Sequence, residues 1–203
     1  IPLRLVGSEM CIRDSLLTLL RGKLAKPQSY SCLTICIGNL NVGGTGKTPT
    51  TIALAQHFLK KGIQVHVVSR GYKGKFQGTF LVDPQKHKSD EVGDEPLLIS
   101  EFTSVWVSNK RKNGIAAAEN AGAQIVLLDD GFQDPSFHKD FSLIVVDGEK
   151  GFGNKKCMPA GPLRENIVQG FKRADALVIV GQRIYKFDTF PTVSYTHLRA
   201  HET

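Results

Sequence analysis

The sequence is poor in cysteine and has no long hydrophobic run. Its four cysteines form no Cys-x-x-Cys pair and no histidine-rich cluster accompanies them, which argues against a zinc site and against a disulfide-stabilised secreted fold. A reducing cytoplasm is therefore the expected environment. The apolar residues 16–20 are too few to cross a bilayer, and Arg21 and Lys23 follow them directly, so no signal peptide or transmembrane helix is expected.

Negative charge is also in short supply, because 19 Asp and Glu face 26 Lys and Arg, and the formal net charge is +7. A basic protein suits anionic partners, which include nucleotide phosphates, nucleic acids and an anionic membrane surface. The sequence has no basic segment interleaved with aromatic residues of the kind that binds single-stranded nucleic acid, so no nucleic-acid partner is expected. Its 41% hydrophobic and 22% charged residues are typical of a globular protein and exclude a disordered one.

The two ends of the chain differ from the rest. Residues 1–15 and 193–203 resemble translated sequencing-adapter sequence, show no sustained periodicity, and each hold as many basic as acidic residues. We interpret them as foreign tails, with natural termini as the alternative, and we place the fold and the excess positive charge between them.

The middle of the chain alternates short apolar runs with helical patterns. The apolar runs are continuous, which predicts strands buried on both faces, and the helices between them predict parallel crossover connections. We therefore predict an α/β fold with a doubly wound, mostly parallel sheet flanked by helices. The predicted strands are residues 33–38, 64–69, 79–82, 105–108, 124–128, 143–147 and 176–180; the predicted helices are residues 48–61 and 115–121; residues 71–78 and 83–94 are predicted to be a basic loop and a polar connection.

A glycine-rich segment, residues 38–49 (GNLNVGGTGKTP), joins the first strand to the first helix. Glycines let the backbone N–H groups turn inward, and the helix dipole adds to their positive charge, which predicts a phosphate-binding loop in a P-loop NTPase-like fold. Lys47 is expected to reach the β- and γ-phosphates of a nucleotide, and the Thr48 hydroxyl to take one position around Mg²⁺. The predicted nucleotide-binding residues are Asn41, Val42, Gly43, Gly44, Thr45, Gly46, Lys47 and Thr48.

Asn41 stands where the P-loop pattern has glycine. Asparagine tolerates left-handed backbone geometry better than most residues, so we expect the loop to accommodate it. A glycine-rich turn with an incidental lysine is the alternative, which the preceding strand and the following helix disfavour.

An apolar strand at residues 125–130 (IVLLDD) ends in Asp129 and Asp130. In P-loop proteins a carboxylate at such a strand end helps to hold Mg²⁺, so both aspartates are predicted metal-binding residues that the sequence does not rank. A plain strand end before the turn at Gly131 is the alternative.

Two other classes of P-loop protein fit less well. GTPases read guanine through an Asn-Lys-x-Asp segment, but here Asn109-Lys110 is followed by Arg111 and Lys112. Partitioning ATPases have a second lysine at the start of the loop, where this chain has Val42. Both classes lack their diagnostic residue here.

Five motifs occur in order along the chain: residues 38–49 (GNLNVGGTGKTP), 69–73 (SRGYK), 92–96 (VGDEP), 127–133 (LLDDGFQ) and 159–165 (PAGPLRE). They resemble the motifs of the tetraacyldisaccharide 4'-kinase family, and their order and approximate spacing match as well. The resemblance implies an ATP- and Mg²⁺-dependent kinase that phosphorylates the 4'-hydroxyl of a tetraacylated glucosamine disaccharide 1-phosphate. This reaction belongs to lipid A biosynthesis in Gram-negative bacteria, at the cytoplasmic face of the inner membrane.

The resemblance implies roles for several of these residues. Asp94 matches the proposed general base, for which the alternative is a loop entering a helix with acidic residues at its positive end. Arg164 is expected to bind phosphate together with Lys47, and Glu165 to join the Mg²⁺ site, with a surface helix start as the alternative. The further possible substrate or phosphate contacts are Arg70, Lys73, Glu95 and Gln133.

Members of this family are longer than the present chain. They have an N-terminal membrane-associated helix, of which residues 16–32 resemble a remnant, and a C-terminal lobe beyond the kinase core that residues 33–192 match. We therefore expect this chain to bind nucleotide and to catalyse poorly by itself. A nucleotide-switched partner-binding ATPase and a kinase of another small hydroxylated substrate stay open as alternatives.

Overall fold

The computed structural model describes residues 27–72, 74–75, 77–182, 184–185 and 187, and the backbone of Ser194–Leu198. These residues form one eight-stranded sheet in the order β3-β4-β2-β5-β1-β6-β7-β8. The strands are β1 (Leu33–Gly38), β2 (Val65–Ser69), β3 (Thr79–Leu81), β4 (Ser104–Ser108), β5 (Ile125–Asp129), β6 (Phe141–Asp147), β7 (Ala176–Val180) and β8 (Ser194–Leu198). The helices are α1 (Lys47–Leu59), α2 (Ser89–Val92), α3 (Asp94–Ser100), α4 (Arg111–Asn120) and α5 (Ile167–Phe171).

The predicted α/β architecture is confirmed. Every residue of β2 and of β5 is buried, as the continuous apolar runs indicated. All described pairings are parallel except that of β3 with β4. Strand β3 is short and partly exposed at the edge of the sheet, where an antiparallel strand needs no second covering layer.

The strand connections reverse direction at one point in the sheet, and this point is where a ligand-binding crevice is expected. From β1 the chain passes through α1 to β2 on one side of the sheet order, whereas from β6 it passes through α5 to β7 on the other side. Neighbouring strands whose connections leave in opposite directions open a crevice at their carboxyl ends, where ligands of α/β proteins bind. The glycine-rich segment begins at this point, at the end of β1.

Right-handed crossovers put the helices on both faces of the sheet. Helix α1 connects β1 to β2 in one direction and α4 connects β4 to β5 in the other, so the two helices lie on opposite faces. Helix α3 packs against α1 and β4. None of the described helices is long and apolar enough to cross a membrane, and the longest, α1, has 13 residues.

Several element boundaries differ from the predictions. Helix α4 starts at Arg111 and not at residue 115, because its polar first turn carries no apolar periodicity. The polar connection predicted for residues 83–94 is wrong in part, since it contains α2. The sequence analysis also missed α5, which at five residues is too short for a periodic signal. The sequence analysis also considered that a helix begins near Asp94, and this helix is present as α3.

The terminal interpretations stay predictions. Residues 1–26, which include one of the suspected tails and most of the suspected membrane helix, lie outside the described residues. Strand β8 falls within residues 193–203, and its backbone pairs in parallel with β7.

Gly114 allows α4 to pack closely on the sheet, and this contact generates a testable prediction. A Cβ atom at Gly114 would lie 2.7 Å from Cγ1 of Val68 and 3.0 Å from Cβ of Ser108. We expect Gly114→Ala to lower the free energy of unfolding by about 1–3 kcal/mol, because the overpacking outweighs the helix propensity that alanine adds. Chemical denaturation measures the change. Asn113→Ala, at an exposed position of the same helix, is the control and should leave stability almost unchanged; equal effects of the two substitutions would contradict the packing argument.

Candidate active site

The glycine-rich loop has the geometry of an anion-binding turn. It leaves β1 at Gly38 and enters α1 at Lys47, and the residue before the helix, Gly46, has a left-handed φ of 86°. A Cβ atom on Gly46 would also lie 3.0 Å from both methyl groups of Val180. The first N–H groups of α1 lack partners within the helix and therefore face the loop as donors.

Asn39 stabilises this loop from within. It is completely buried, and its Nδ2 donates to the carbonyl oxygen of Gly43 at 3.3 Å and to Oγ1 of Thr45 at 3.0 Å. Its own backbone carbonyl accepts a hydrogen bond of 3.0 Å from Nε2 of Gln133. Sequence analysis missed this residue, because it lies two positions before the start of the P-loop pattern.

The left-handed backbone considered for Asn41 is not observed, although the loop accommodates this residue. Among the described residues other than glycine, only Asp130 and Lys155 have a positive φ, so Asn41 is not left-handed. It instead forms an antiparallel bridge with Leu163, and its Nδ2 donates to the carbonyl oxygen of Gly151 at 2.9 Å. Asparagine fits here because its buried side chain has an acceptor to bond, which glycine would leave unpaired.

This bridge joins the PAGPLRE motif to the loop. The N–H of Val42 donates to the carbonyl of Pro162 at 2.8 Å, and the N–H of Arg164 donates to the carbonyl of Leu40 at 2.7 Å. The two segments therefore run side by side, although they are more than a hundred residues apart in sequence. This pairing places Arg164 next to the glycine-rich loop.

Asp130 forms ion pairs with two basic side chains of the site, Lys47 and Arg164. Its carboxylate accepts two hydrogen bonds of 3.0 Å from Nη1 of Arg164, and its Oδ1 lies 3.7 Å from Nζ of Lys47. Burial raises the pKa of Asp130, but the positive charges of Arg164, Lys47 and Arg111 lower it by more. The net result is a pKa below the ordinary value, so Asp130 is ionised and paired with these cations.

Asp129 differs from its neighbour. It is 2% exposed, and within the described part of the chain its Oδ1 has no hydrogen-bond partner. Burial raises its pKa to about 7, and the negative charges of Glu95 and Asp130 act in the same direction. A buried acceptor without a partner indicates a missing water or cation. The sequence left the two aspartates unranked, whereas the structure distinguishes them, because Asp130 is paired with cations and Oδ1 of Asp129 has no hydrogen-bond partner among the described residues.

Glu165 and Gln133 meet beside the loop. Nε2 of Gln133 donates to Oε1 of Glu165 at 3.1 Å, and Arg173 forms an ion pair with Oε2 of Glu165. The guanidinium of Arg173 also lies 4.7 Å from the centre of the Phe132 ring. The structure thus ties Glu165, a predicted magnesium ligand, to two protein partners. Arg173 escaped the sequence analysis because it lies beyond the end of the motif.

The SRGYK and VGDEP motifs pack against each other. Gly93 has a φ of 94°, and a Cβ atom on it would lie 2.8 Å from the carbonyl oxygen of Tyr72. Asp94 follows Gly93 as the first residue of α3, and its side chain is exposed, as is that of Arg70. Lys73, a predicted phosphate contact, lies outside the described residues.

Few protein groups are available to hold a metal ion. Among the described residues, no group of three or more His, Cys, Asp or Glu side chains is placed to bind one. This arrangement suits Mg²⁺ in P-loop proteins, where one or two carboxylates, a hydroxyl and the nucleotide phosphates share the ion. Thr48, in the first turn of α1, and Asp129 are the groups that fit.

Comparisons with known proteins agree with this geometry. The family model of LpxK, tetraacyldisaccharide-1-P 4'-kinase, matches residues 8–202. The tetraacyldisaccharide 4'-kinase of Dinoroseobacter shibae is 50% identical over 184 residues, which are 87% of this chain and 55% of that protein. That of a Jannaschia species is 53% identical over 147 residues, which are 72% of this chain and 45% of that protein.

A solved structure of a tetraacyldisaccharide 4'-kinase has a fold similar to that of this chain. LpxK from Aquifex aeolicus, crystallised in complex with ATP, superposes with a TM-score of 0.77 at 31% identity, covering 95% of this chain and 62% of that one. The chain spans about half the length of the curated relatives it matches. On the family match and these identities, the chain belongs to the tetraacyldisaccharide-1-P 4'-kinase family.

Proposed function

We propose that the protein containing this chain transfers the γ-phosphate of ATP to the 4'-hydroxyl of tetraacyldisaccharide 1-phosphate in lipid A biosynthesis. The observation that carries the proposal is a phosphate loop whose Lys47 is grouped with Asp130 and Arg164, in a chain of this kinase family. The curated relatives bear the same kinase name, and the A. aeolicus protein was crystallised with ATP.

The loop residues 41–48 supply the proposed nucleotide site. Backbone N–H groups and the start of α1 bind the phosphates, and Lys47 moves from Asp130 toward the β- and γ-phosphates. Arg164 offers a planar guanidinium to the charge that develops on the transferred phosphoryl group. Its pairing with Asp130 holds it at the loop before the nucleotide arrives.

We assign Mg²⁺ to Thr48 and Asp129, with Glu165 as a further ligand once it leaves Gln133 or Arg173. Oδ1 of Asp129, which has no hydrogen-bond partner in the described part of the chain, supports this assignment. The ion, when bound, neutralises negative charge on the phosphates.

Asp94 is the proposed general base. It stands at the exposed start of α3, directly after Gly93, whose backbone packs closely against the carbonyl of Tyr72. An exposed carboxylate at this position is accessible to a substrate hydroxyl, whose proton it accepts during transfer. Glu95 lies next to it and close enough to Asp129 to raise the pKa of that residue.

The acceptor is a lipid, so the proposed place of action is the cytoplasmic face of the inner membrane. The net charge of +7 supports contact with an anionic surface and with the phosphate of the substrate. Arg70 and Lys73 are the proposed substrate contacts.

Lys47→Ala tests the nucleotide site. We expect the affinity for Mg-ATP to fall by at least about tenfold, because an ammonium group that contacts two phosphates is lost. Isothermal titration calorimetry on the chain measures it. Lys60→Ala, at the exposed end of the same helix, should bind like the wild type; unchanged binding by Lys47→Ala would remove the basis of the proposal.

Asp94→Asn tests the catalytic step and separates a kinase from a nucleotide-switched ATPase. In a full-length protein carrying this sequence, we expect phosphoryl transfer from labelled ATP to the disaccharide to fall about 10²–10⁴-fold, while ATP affinity stays unchanged. Glu101→Gln, at the other end of α3, should keep wild-type activity. Normal transfer by Asp94→Asn would exclude Asp94 as the base.

The raised pKa of Asp129 predicts a pH-dependent cost in stability. Its folded pKa of about 7 exceeds the reference value of 3.8, so in the metal-free protein this group makes the free energy of unfolding fall as pH rises through this interval. Asp129→Asn has no charge to bury. We therefore expect it to be more stable than the wild type at pH 8 by up to about 4 kcal/mol, with the difference vanishing near pH 4.

Thermal unfolding in a chelator at several pH values measures this difference. The same variant should bind Mg-ATP more weakly than the wild type, because its amide is a poorer magnesium ligand. A variant less stable than the wild type at pH 8 would contradict the interpretation of Asp129 as a buried, uncompensated carboxylate.

A further inference from the structure

Arg111 lies behind the loop that carries the aspartate pair. It is the first residue of α4 and is 8% exposed. Its Nη2 donates to the backbone carbonyl of Asp130 at 2.7 Å, and its Nη1 lies 3.6 Å from Oδ2 of Asp134. One guanidinium group thus spans the loop from β5 toward β6. In the sequence this residue drew attention only as a mismatch to a GTPase motif.

Hydrogen bonds at the start of α4 hold the backbone on both sides of Arg111. The Tyr30 hydroxyl donates to the carbonyl of Lys112 at 2.9 Å, and Oγ of Ser108 donates to the carbonyl of Lys110 at 2.7 Å. These bonds hold the residues on either side of Arg111, so the direction in which its side chain leaves the helix is restrained.

Asp130 needs such a restraint. Its φ of 56° is left-handed, which residues with a side chain rarely adopt without support. Its N–H donates to the carbonyl of Ile37 at 2.9 Å, and its own carbonyl accepts from Arg111, so both sides of the residue are held. This backbone conformation directs the carboxylate toward Arg164 and Lys47.

We propose that Arg111 is a positioning residue for nucleotide binding, which acts by holding the Asp130 backbone so that its carboxylate orients Lys47 and Arg164. The proposal rests on the proposed function in taking the triphosphate of a nucleotide as the ligand of those two cations. In this proposal Arg111 acts through its contacts with the loop and is assigned no contact with that ligand. Its guanidinium is buried and donates to the loop through Nη2, while within the described residues its Nε is buried without a hydrogen-bond partner.

The planar fork of arginine is what this position requires. Two nitrogens of one rigid group reach a carbonyl and a carboxylate of the same loop, and a single ammonium group cannot reproduce that spacing. Lysine at this position would keep the charge and lose one of the two contacts.

The test compares Arg111→Met and Arg111→Lys with the control Lys112→Met, which removes the same charge from the exposed neighbouring residue. Calorimetric titration with Mg-ATP gives the affinity, and thermal unfolding without ligand checks the fold. We expect Arg111→Met to weaken Mg-ATP binding about tenfold, in the range seen when residues that orient a binding group are removed. Arg111→Lys should weaken it in the same direction, whereas Lys112→Met should bind like the wild type.

A double-mutant cycle separates positioning from general destabilisation. In an Asp130→Ala background the carboxylate that Arg111 positions is gone, so adding Arg111→Met should change the affinity no further. An equal loss in both backgrounds would indicate a merely structural role and overturn the proposal. So would an affinity of Arg111→Met and Arg111→Lys equal to that of the control. If the wild type itself bound no Mg-ATP, the proposed function would fall and this proposal with it.

Discussion

The ion-pair cluster centred on Asp130 is the interaction on which the site depends. One carboxylate receives Lys47 from the phosphate loop and Arg164 from the PAGPLRE motif, and its backbone is held by Arg111 from a third part of the chain. Such a partly buried cluster is favourable only when every charge has a partner, so the loss of one member affects all the others. The cationic groups that meet a phosphate are thereby organised before it binds.

Backbone contacts bring these segments close enough for the cluster to form. The side chain of Phe132 packs directly on the backbone of Gly38. Any other residue at position 38 would clash, since its Cβ atom would lie 2.3 Å from the Cβ of Phe132. Backbone hydrogen bonds at Leu40 and Val42 then fasten the PAGPLRE segment alongside the loop. The motifs therefore combine two kinds of residue, those that carry charge and those that permit close approach, and the second kind decides where the first kind lies.

The two adjacent aspartates have identical side chains, but their surroundings shift their pKa values in opposite directions. Asp130 is paired with cations and stays ionised, while Asp129 is buried, its Oδ1 has no partner among the described residues, and its pKa rises. Burial of the Asp129 carboxylate disfavours its ionised form, and the cation that we propose to bind there would stabilise that form.

Amino-acid pattern alone determined the α/β fold class, the position of the phosphate loop and the place of the aspartate pair, because continuous apolar runs and a glycine-rich strand-to-helix junction are local features. Short helices such as α2 and α5 carry no such periodic signal, and their presence emerged only in the fold. The extended backbone of Asn41, the difference between Asp129 and Asp130, and the contacts of Arg111 and Arg173 also depended on the tertiary structure. Each of them results from a contact between residues distant in sequence, and no local pattern records which partner a side chain will meet.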